Sequence, residues 1–298
     1  MKWFLLCAIA ALLTSGDCYP GGGQQVTKFA DSTFVRAQAL AVDQYNQVFV
    51  LDAGTSQVLK LSAPGEVSAH VGGYGWTGLS LDQPSDVTTI NGLDVFVADY
   101  GNHRIQRFDR NLSLISSFPT GAEESSPRSF GYPRSAAEGP GGALYVTDGE
   151  NNRMLRIDLD GTLRFFGGLD ASAGKLHHPG RVRINSDELV FVQDSNMVVT
   201  YDRFGNYVRT FGPGLFRDLK AFTFDRDTMY ALDSCSLLRI SERGGLIDSC
   251  RDVCLFLNDP PPQVVDVAIQ GGTCYLLTLH ELYIVEIDRL FNSRQRRD

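Results

Sequence analysis

A short phrase that recurs six times is the feature of this sequence that most constrains its fold. Each copy has an aromatic residue, a small or branched apolar residue, one variable residue and an aspartate, except that threonine ends the last copy. The copies are Phe49-Val50-Leu51-Asp52, Phe96-Val97-Ala98-Asp99, Tyr145-Val146-Thr147-Asp148, Phe191-Val192-Gln193-Asp194, Tyr230-Ala231-Leu232-Asp233 and Tyr275-Leu276-Leu277-Thr278. They are spaced by 47, 49, 46, 39 and 45 residues. This period predicts six structural units of one kind.

Each unit has the pattern of four short strands, which is clearest in the third. Apolar alternation there predicts strands over 133–138, 144–147, 154–158 and 162–166. Pro140-Gly141-Gly142 and Asp160-Gly161 supply tight turns between them. Units of this length and strand count are typical of propeller blades, whereas solenoid coils need a helix or a shorter repeat.

The two ends of the chain predict how the ring closes. The last unit supplies only three strands, over 263–269, 274–277 and 282–287. The segment from Gly23 to Phe29 matches the outer-strand segments Gly161 to Phe166 and Gly205 to Phe211. We therefore expect an all-β, six-bladed β-propeller whose sixth blade is completed by the N-terminal strand, which leaves no open ring.

Two copies extend the phrase with asparagine and arginine. Residues 96–108 contain Asp99, Asn102 and Arg104, and residues 145–157 contain Asp148, Asn151 and Arg153. This pattern resembles the NHL repeat. The resemblance covers residues 24–288 and implies the propeller fold, although Gln57 replaces the arginine of the first copy and the fourth and fifth copies keep only Asp194 and Asp233.

The repeated aspartates are expected to be structural. A carboxylate that ends the second strand can accept hydrogen bonds from backbone N–H groups of the following loop. The arginine five residues later can pair with a neighbouring carboxylate. This interpretation covers Asp52, Asp99, Asp148, Asp194 and Asp233.

The N-terminus has the features of an export signal. Lys2 precedes an apolar stretch from Trp3 to Leu13, and Thr14, Ser15 and Gly16 are small. We expect a signal peptide over 1–16, a propeller over 17–290 and a basic tail over 291–298. The protein is therefore expected to be secreted or extracellular, or to face a bacterial envelope, where Cys18 is an alternative lipid-anchor site. Asn111-Leu112-Ser113 is a glycosylation sequon, and no transmembrane segment is expected.

Five cysteines follow the predicted signal peptide, which in an exported protein indicates disulfides. Placed on the propeller, Cys235, Cys250 and Cys254 belong to the upper side of blade five, and Cys18 and Cys274 to the lower end of blade six. One bridge is predicted within the first set, and a Cys18–Cys274 bridge is a second possibility. Lipidation of Cys18 would instead leave four cysteines, an even number, for disulfide pairing.

Four polar residues occupy equivalent positions on the first strands, at the mouth of the central channel. They are Asp86, Ser135, Arg181 and Asp266. Such a set could hold a cation or a polar ligand, or could simply be solvated in a water-filled channel. The net charge of −8 disfavours nucleic acid as a partner.

The NHL resemblance also makes two classes of propeller enzyme worth comparing with this sequence. Peptide-amidating lyases of this kind hold zinc through histidines that follow the proline of the inner strands, but Ser85, Arg134 and Gly180 occupy those positions. Calcium-dependent lactonases use inner-strand Glu, Asn and Asp, which Glu138 and Asp86 imitate only in part. No cofactor is therefore predicted, and Zn²⁺ or Ca²⁺ enters only with the alternative of a metal-dependent lyase or hydrolase at the channel mouth.

Long upper connections carry aromatic residues that suit an interface. They include Tyr74, Trp76, Phe130 and Tyr132, and aromatic anchors on loops of a rigid scaffold are favoured at binding surfaces. The alternative is that they pack between blades. The sequence thus favours a binding scaffold for a protein or glycan over an enzyme.

Overall fold

The computed structural model describes residues 26–31, 33–63, 65–89, 92–118, 131–257 and 262–291. They form six four-stranded antiparallel sheets in a ring, a six-bladed β-propeller. Blade one contains β2 (Ala37–Val42), β3 (Val48–Asp52), β4 (Gln57–Ser62) and β5 (Glu66–Gly72), and blade two contains β6 (Asp86–Thr89), β7 (Asp94–Asp99), β8 (Arg104–Asp109) and β9 (Leu114–Phe118). Blade three contains β10 (Pro133–Glu138), β11 (Leu144–Asp148), β12 (Arg153–Ile157) and β13 (Leu163–Phe166).

The second half of the ring repeats this arrangement. Blade four contains β14 (Pro179–Ile184), β15 (Val190–Asp194), β16 (Met197–Tyr201) and β17 (Tyr207–Phe211), and blade five contains β18 (Leu219–Asp225), β19 (Thr228–Asp233), β20 (Ser236–Ser241) and β21 (Leu246–Cys250). Blade six contains β22 (Val264–Gln270), β23 (Thr273–Thr278), β24 (Leu282–Glu286) and β1 (Thr27–Ala30).

The repeated phrase forms the second strand of each blade, which packs on both faces. In blade one, all of β3 is buried, whereas the outer strand β5 is largely exposed. The buried side chains form six apolar clusters, and each cluster joins two neighbouring blades. A sheet packed on both faces needs apolar side chains on both, which explains why the phrase does not alternate with polar residues.

The aspartate of each phrase anchors the segment that leads into its own blade. The Asp52 carboxylate accepts hydrogen bonds from the backbone N–H groups of Val35 and Arg36, at 3.0 and 2.8 Å. Asp233 binds the N–H groups of Arg217 and Asp218 in the same way. The structural role was predicted, but the main partners lie 15 to 17 residues upstream and not only in the following loop.

The arginine of the longer pattern pairs with the aspartate of its own copy. Arg104 Nε lies 2.7 Å from Asp99, and Arg153 Nε lies 2.9 Å from Asp148. Blade six, which has Thr278 instead, keeps its hydrogen bonds within its own turn, at the backbone N–H of Glu281.

The ring closes through the N-terminal strand, as the sequence predicts. β1 pairs antiparallel with β24, and Thr27 lies opposite Ile284. A helix α1 (Ile287–Phe291) follows β24, where the sequence predicts the end of the last strand and then a tail. Its Phe291 packs against Tyr230 of blade five, with ring centroids 6.2 Å apart.

The cysteines correct one prediction and confirm another. Cys235 and Cys254 form a disulfide that ties the loop after β19 to a 3-10 helix (Val253–Phe256), and Cys250 is also disulfide-bonded. Cys274 is a free, buried thiol, so the predicted Cys18–Cys274 bridge is wrong. Its side chain lies in the apolar junction of blades five and six, and burial raises the pKa of the thiol.

Several predictions lie outside the described residues. They concern the signal peptide, Cys18, Phe130 and the tail beyond 291. In the part of the chain that the structure describes, no helix combines the length and apolar character that crossing a membrane requires.

Candidate functional site

The beginning of the first strand is irregular in five of the six blades. The pairing register shifts there, for example between Ala37 and Ala39 and between Pro133 and Ser135. Bulges of this kind re-aim side chains and are common beside functional sites. The residues at this step, such as Gln38, Arg134 and Gly180, therefore line the upper mouth of the channel.

The structure brings together the four channel residues that the sequence predicts. Ser135 Oγ donates to Asp86 at 2.5 Å. Arg181 Nη1 lies 2.7 Å from Asp266 and 3.5 Å from Asp86. Sequence reasoning missed Arg183, whose Nη1 lies 2.8 Å from Asp86. We call these five residues the channel network.

The channel network is buried and internally satisfied. Asp266 also accepts hydrogen bonds from the backbone N–H groups of Leu40 and Val267, at 2.7 and 2.8 Å. Burial opposes ionisation of Asp86, but Arg183 and Arg181 outweigh it and hold its pKa below the ordinary value. At Asp266 the effect of burial is larger than that of Arg181, and the pKa is raised. The network therefore links the first strands of five blades by charge-assisted bonds, and is not a solvated lining.

The channel network separates two cavities. The upper one, of about 780 Å³, is lined by Arg181 and by residues of the upper loops. The lower one, of about 200 Å³, is lined by Arg183 and by residues further along the first strands, such as Thr88 and Ala268. The upper cavity is thus a bowl with the channel network as its floor.

The rim of the upper cavity carries arginines that form no ion pair with any of the described residues. Arg36 and Arg134 line the cavity and are exposed, and neither guanidinium pairs with a carboxylate among the described residues. Asp82 and His178 also line it. We call Arg36 and Arg134 the rim arginines. They contrast with Arg181 below them, which is neutralised by Asp266.

A loop over 73–85 presents two aromatic side chains beside the cavity. Tyr74 is 74% exposed and Trp76 is 73% exposed. The backbone of the loop is held from blade two: Asn102 Nδ2 donates to Gly75 O at 2.9 Å, and Arg104 Nη2 donates to Ser80 O at 2.6 Å. The two predicted aromatics therefore project from a loop that is fixed in place.

Tyr132 belongs to a cluster of rings in tilted contact with one another. Its ring centroid lies 4.2 Å from that of His103 and 5.0 Å from that of Tyr100, and the Arg134 guanidinium lies 5.8 Å from the Tyr100 centroid. The φ of Tyr132 is 47°, a left-handed value that costs free energy in a bulky residue. Strain of this kind clusters at binding and catalytic sites. Tyr132 thus makes ring contacts with its neighbours, whereas Tyr74 and Trp76 are largely exposed.

The channel residues do not fit the metal sites that the sequence considered. Asp86 and Asp266 are each paired with an arginine, so a Zn²⁺ or Ca²⁺ ion would have to displace a guanidinium to reach them. Glu138 lies lower, near Asp94 and Arg107. Among the described residues, no group of three or more His, Cys, Asp or Glu side chains has metal-binding geometry.

Comparisons with known proteins agree with this fold. Residues 81–108 match the NHL repeat family. A probable peptidyl-alpha-hydroxyglycine alpha-amidating lyase of Caenorhabditis elegans is 28% identical over 145 residues, which are 43% of this chain and 39% of that protein. The protein brain tumor of Drosophila melanogaster is 26% identical over 102 residues, 33% of this chain and 10% of that protein. The chain therefore spans well under half of the length of either relative.

Solved propellers superpose over most of the chain. Virginiamycin B lyase from Staphylococcus aureus has a TM-score of 0.60 and 14% identity, covering 86% of this chain and 82% of its own. A gluconolactonase from Xanthomonas campestris has a TM-score of 0.63 and 12% identity, covering 89% and 90%. At this identity the likeness shows the fold alone.

Proposed function

We propose that this protein is a ligand-binding module of the extracellular space or of an envelope, and that the upper cavity is its binding site. One observation carries the proposal. The ionisable groups of the floor neutralise one another, whereas the rim arginines above them have no carboxylate partner among the described residues. Unpaired charges around a cavity of about 780 Å³ are what a polar ligand would complete.

The fixed aromatic side chains support binding over catalysis. Tyr74 and Trp76 are exposed on a loop whose backbone hydrogen bonds hold in place, so a partner would lose little backbone entropy in binding there. A partner protein or glycan could contact them while one of its groups enters the cavity. The Cys235–Cys254 disulfide is compatible with an extracellular location.

The proposal is tested by blocking the cavity. Gly180 stands at the bulge step and its φ is not left-handed, and an added Cβ would lie 3.4 Å from Gln193, an ordinary contact. Gly180→Trp should fill the cavity while the propeller stays folded. The matched control is Gly141→Trp on a lower turn, where an added Cβ meets nothing within 4 Å.

The measurement is ligand-observed NMR with a panel of sugars, carboxylates, amines and short peptides. We expect hits with the wild-type protein and with Gly141→Trp, and their loss with Gly180→Trp. An absence of hits, or hits that Gly180→Trp leaves unchanged, would contradict the proposal. Circular dichroism verifies that both variants are folded.

A metal-dependent lyase or hydrolase is the second candidate, and the similarity to the nematode amidating lyase favours it. It would need a metal site other than the arginine-paired carboxylates of the channel network. Elemental analysis of the purified, dialysed protein tests it. A stoichiometric metal, together with turnover of a peptidyl-hydroxyglycine or lactone substrate, would replace the binding proposal.

A further inference from the structure

The charge of the upper cavity determines whether it favours an anionic or a cationic ligand. The cavity is lined by two rim arginines and by one aspartate, Asp82, while Arg181 is already paired with Asp266. The cavity is therefore locally cationic, although the whole chain carries −8. Because a guanidinium matches the geometry of a carboxylate and binds it through two hydrogen bonds, the preferred ligand group is an anion of this shape.

The walls between the rim arginines are rich in neutral hydrogen-bonding groups. Gln38 and Gln193 use their amide N–H groups to bind the carbonyls of Ser85 and Leu219, at 3.1 and 2.7 Å. These bonds fix both side chains, and each amide oxygen stays available as an acceptor. Ser56, Gln83 and Ser195 add further polar groups, and Ala53 and Pro84 are the aliphatic side chains of the wall. The cavity thus suits a ligand with many hydroxyl groups and offers little to an apolar side chain.

The aromatic side chains match the remaining part of such a ligand. Tyr74 and Tyr100 line the cavity itself, and Trp76 is exposed on the same loop as Tyr74. Aromatic side chains combine a large apolar face with a polar tip. The C–H face of a sugar ring can pack on the former while its hydroxyl groups bind the latter.

The closed floor sets how the ligand enters. The channel network spans the channel, so a ligand can insert one end but cannot pass through. Resting on the proposed function, we infer that the upper cavity binds the end of an acidic glycan, with the carboxylate of a terminal sugar bound at the rim by Arg36 and Arg134. An acidic peptide would meet the same arginines but would find no apolar pocket for its side chains.

The inference is tested by isothermal titration calorimetry with defined probes. Trisaccharides that end in glucuronate, galacturonate or N-acetylneuraminate are compared with the same trisaccharides ending in a neutral hexose, and with an acidic tetrapeptide. We expect at least one acidic sugar to bind at least about tenfold more tightly than its neutral counterpart, a difference of about 1.4 kcal/mol.

Variants of the rim arginines test whether these residues bind the carboxylate of the sugar. Arg36→Gln and Arg134→Gln should each lower the affinity for the acidic sugar by about tenfold or more and leave the affinity for the neutral sugar unchanged. The control is Arg226→Gln on the lower turn between β18 and β19, which is exposed and far along the chain from the rim; it should change nothing. Equal effects of Arg226→Gln would mean that only the overall charge matters, which would overturn the inference.

The failure of this inference is distinguishable from failure of the binding proposal. Neutral sugars or the peptide binding as tightly as the acidic sugars, with loss in Gly180→Trp, would overturn the ligand class and leave the site in place. If no acidic sugar binds, but other probes bind the wild-type protein and not Gly180→Trp, the ligand class is again wrong and the site remains. Probes that bind unchanged to Gly180→Trp would overturn both.

Discussion

The floor and the rim of the upper cavity use the same kinds of charged residue in opposite ways. In the floor, Asp86 and Asp266 are almost fully buried and each is paired with an arginine. At the rim, Arg36 and Arg134 are exposed and have no carboxylate partner among the described residues. Charge that is satisfied inside the fold contributes to one arrangement of the blades, whereas charge left at the surface is available to a ligand. The position of a charged residue in the blade therefore decides whether it is neutralised within the fold, and residue type alone does not.

The largest expected effect is the removal of a floor carboxylate. Asp266→Ala would leave Arg181 buried without its closest partner and the Leu40 N–H without an acceptor, so the free energy of unfolding should fall by about 3–5 kcal/mol. Guanidinium denaturation measures this loss. The rim counterpart Arg36→Ala should stay within about 0.5 kcal/mol. Similar losses for both variants would remove the distinction between floor and rim.

A smaller effect is expected from the aspartates that end the second strands and bind the segment leading into each blade. Asp148 accepts hydrogen bonds from Gly131 N, Asn151 and Arg153. Asp148→Ala should cost about 2–3 kcal/mol, because one buried backbone donor and two partly covered side-chain donors lose a buried acceptor. Thr278→Ala in blade six should cost only about 1 kcal/mol, since Thr278 bonds within its own turn. Equal costs in the same denaturation assay would show that upstream anchoring contributes nothing.

The pH dependence of stability sharpens the same comparison. The pKa of Asp86 is lowered from its ordinary value of 3.8, so its ionised form stabilises the folded state at neutral pH. That contribution is complete above about pH 5 and is lost as the pH falls through the native pKa, below 3.8. The stability difference between wild type and Asp86→Asn should be constant from about pH 7 to 5 and shrink below about pH 4. A difference that grows toward low pH would contradict the ion pairing.

The smallest effect is expected at the exposed aromatics. Trp76→Ala removes a side chain that is 73% exposed, so the free energy of unfolding should change by less than about 0.5 kcal/mol. Thermal unfolding followed by circular dichroism measures the change. A loss above about 2 kcal/mol would assign Trp76 to packing between blades, the alternative that the sequence left open.

The sequence predicts much of the fold because each blade repeats one burial pattern. The spacing of the six phrases determines the number of blades, and the three-strand last unit predicts the pairing of β1 with β24. Cys274 shows the limit. Its place along a strand is readable, but the face on which its side chain lies depends on the neighbouring blade, and that face is an apolar junction.

The channel network was predictable only in part for a similar reason. Equivalent strand positions bring Asp86, Ser135, Arg181 and Asp266 together. Arg183 lies two residues further along the strand and reaches Asp86 because its side chain is long. The sequence signal for it is an arginine at a channel-facing step of an otherwise apolar strand, but the direction of its reach is a matter of side-chain conformation. The unpaired state of the rim arginines likewise depends on which loops approach them.

Completing blade six from both ends of the chain has a consequence for biosynthesis. β1 is made first and its partner β24 is made more than 250 residues later. Until β24 has been made, β1 therefore has no partner strand, and an unpaired strand edge is a template for aggregation. A contact between such distant residues also closes slowly. A product truncated before β24 would leave β1 without the strand it pairs with, so the outer edge of blade six is covered only after β24 has been made.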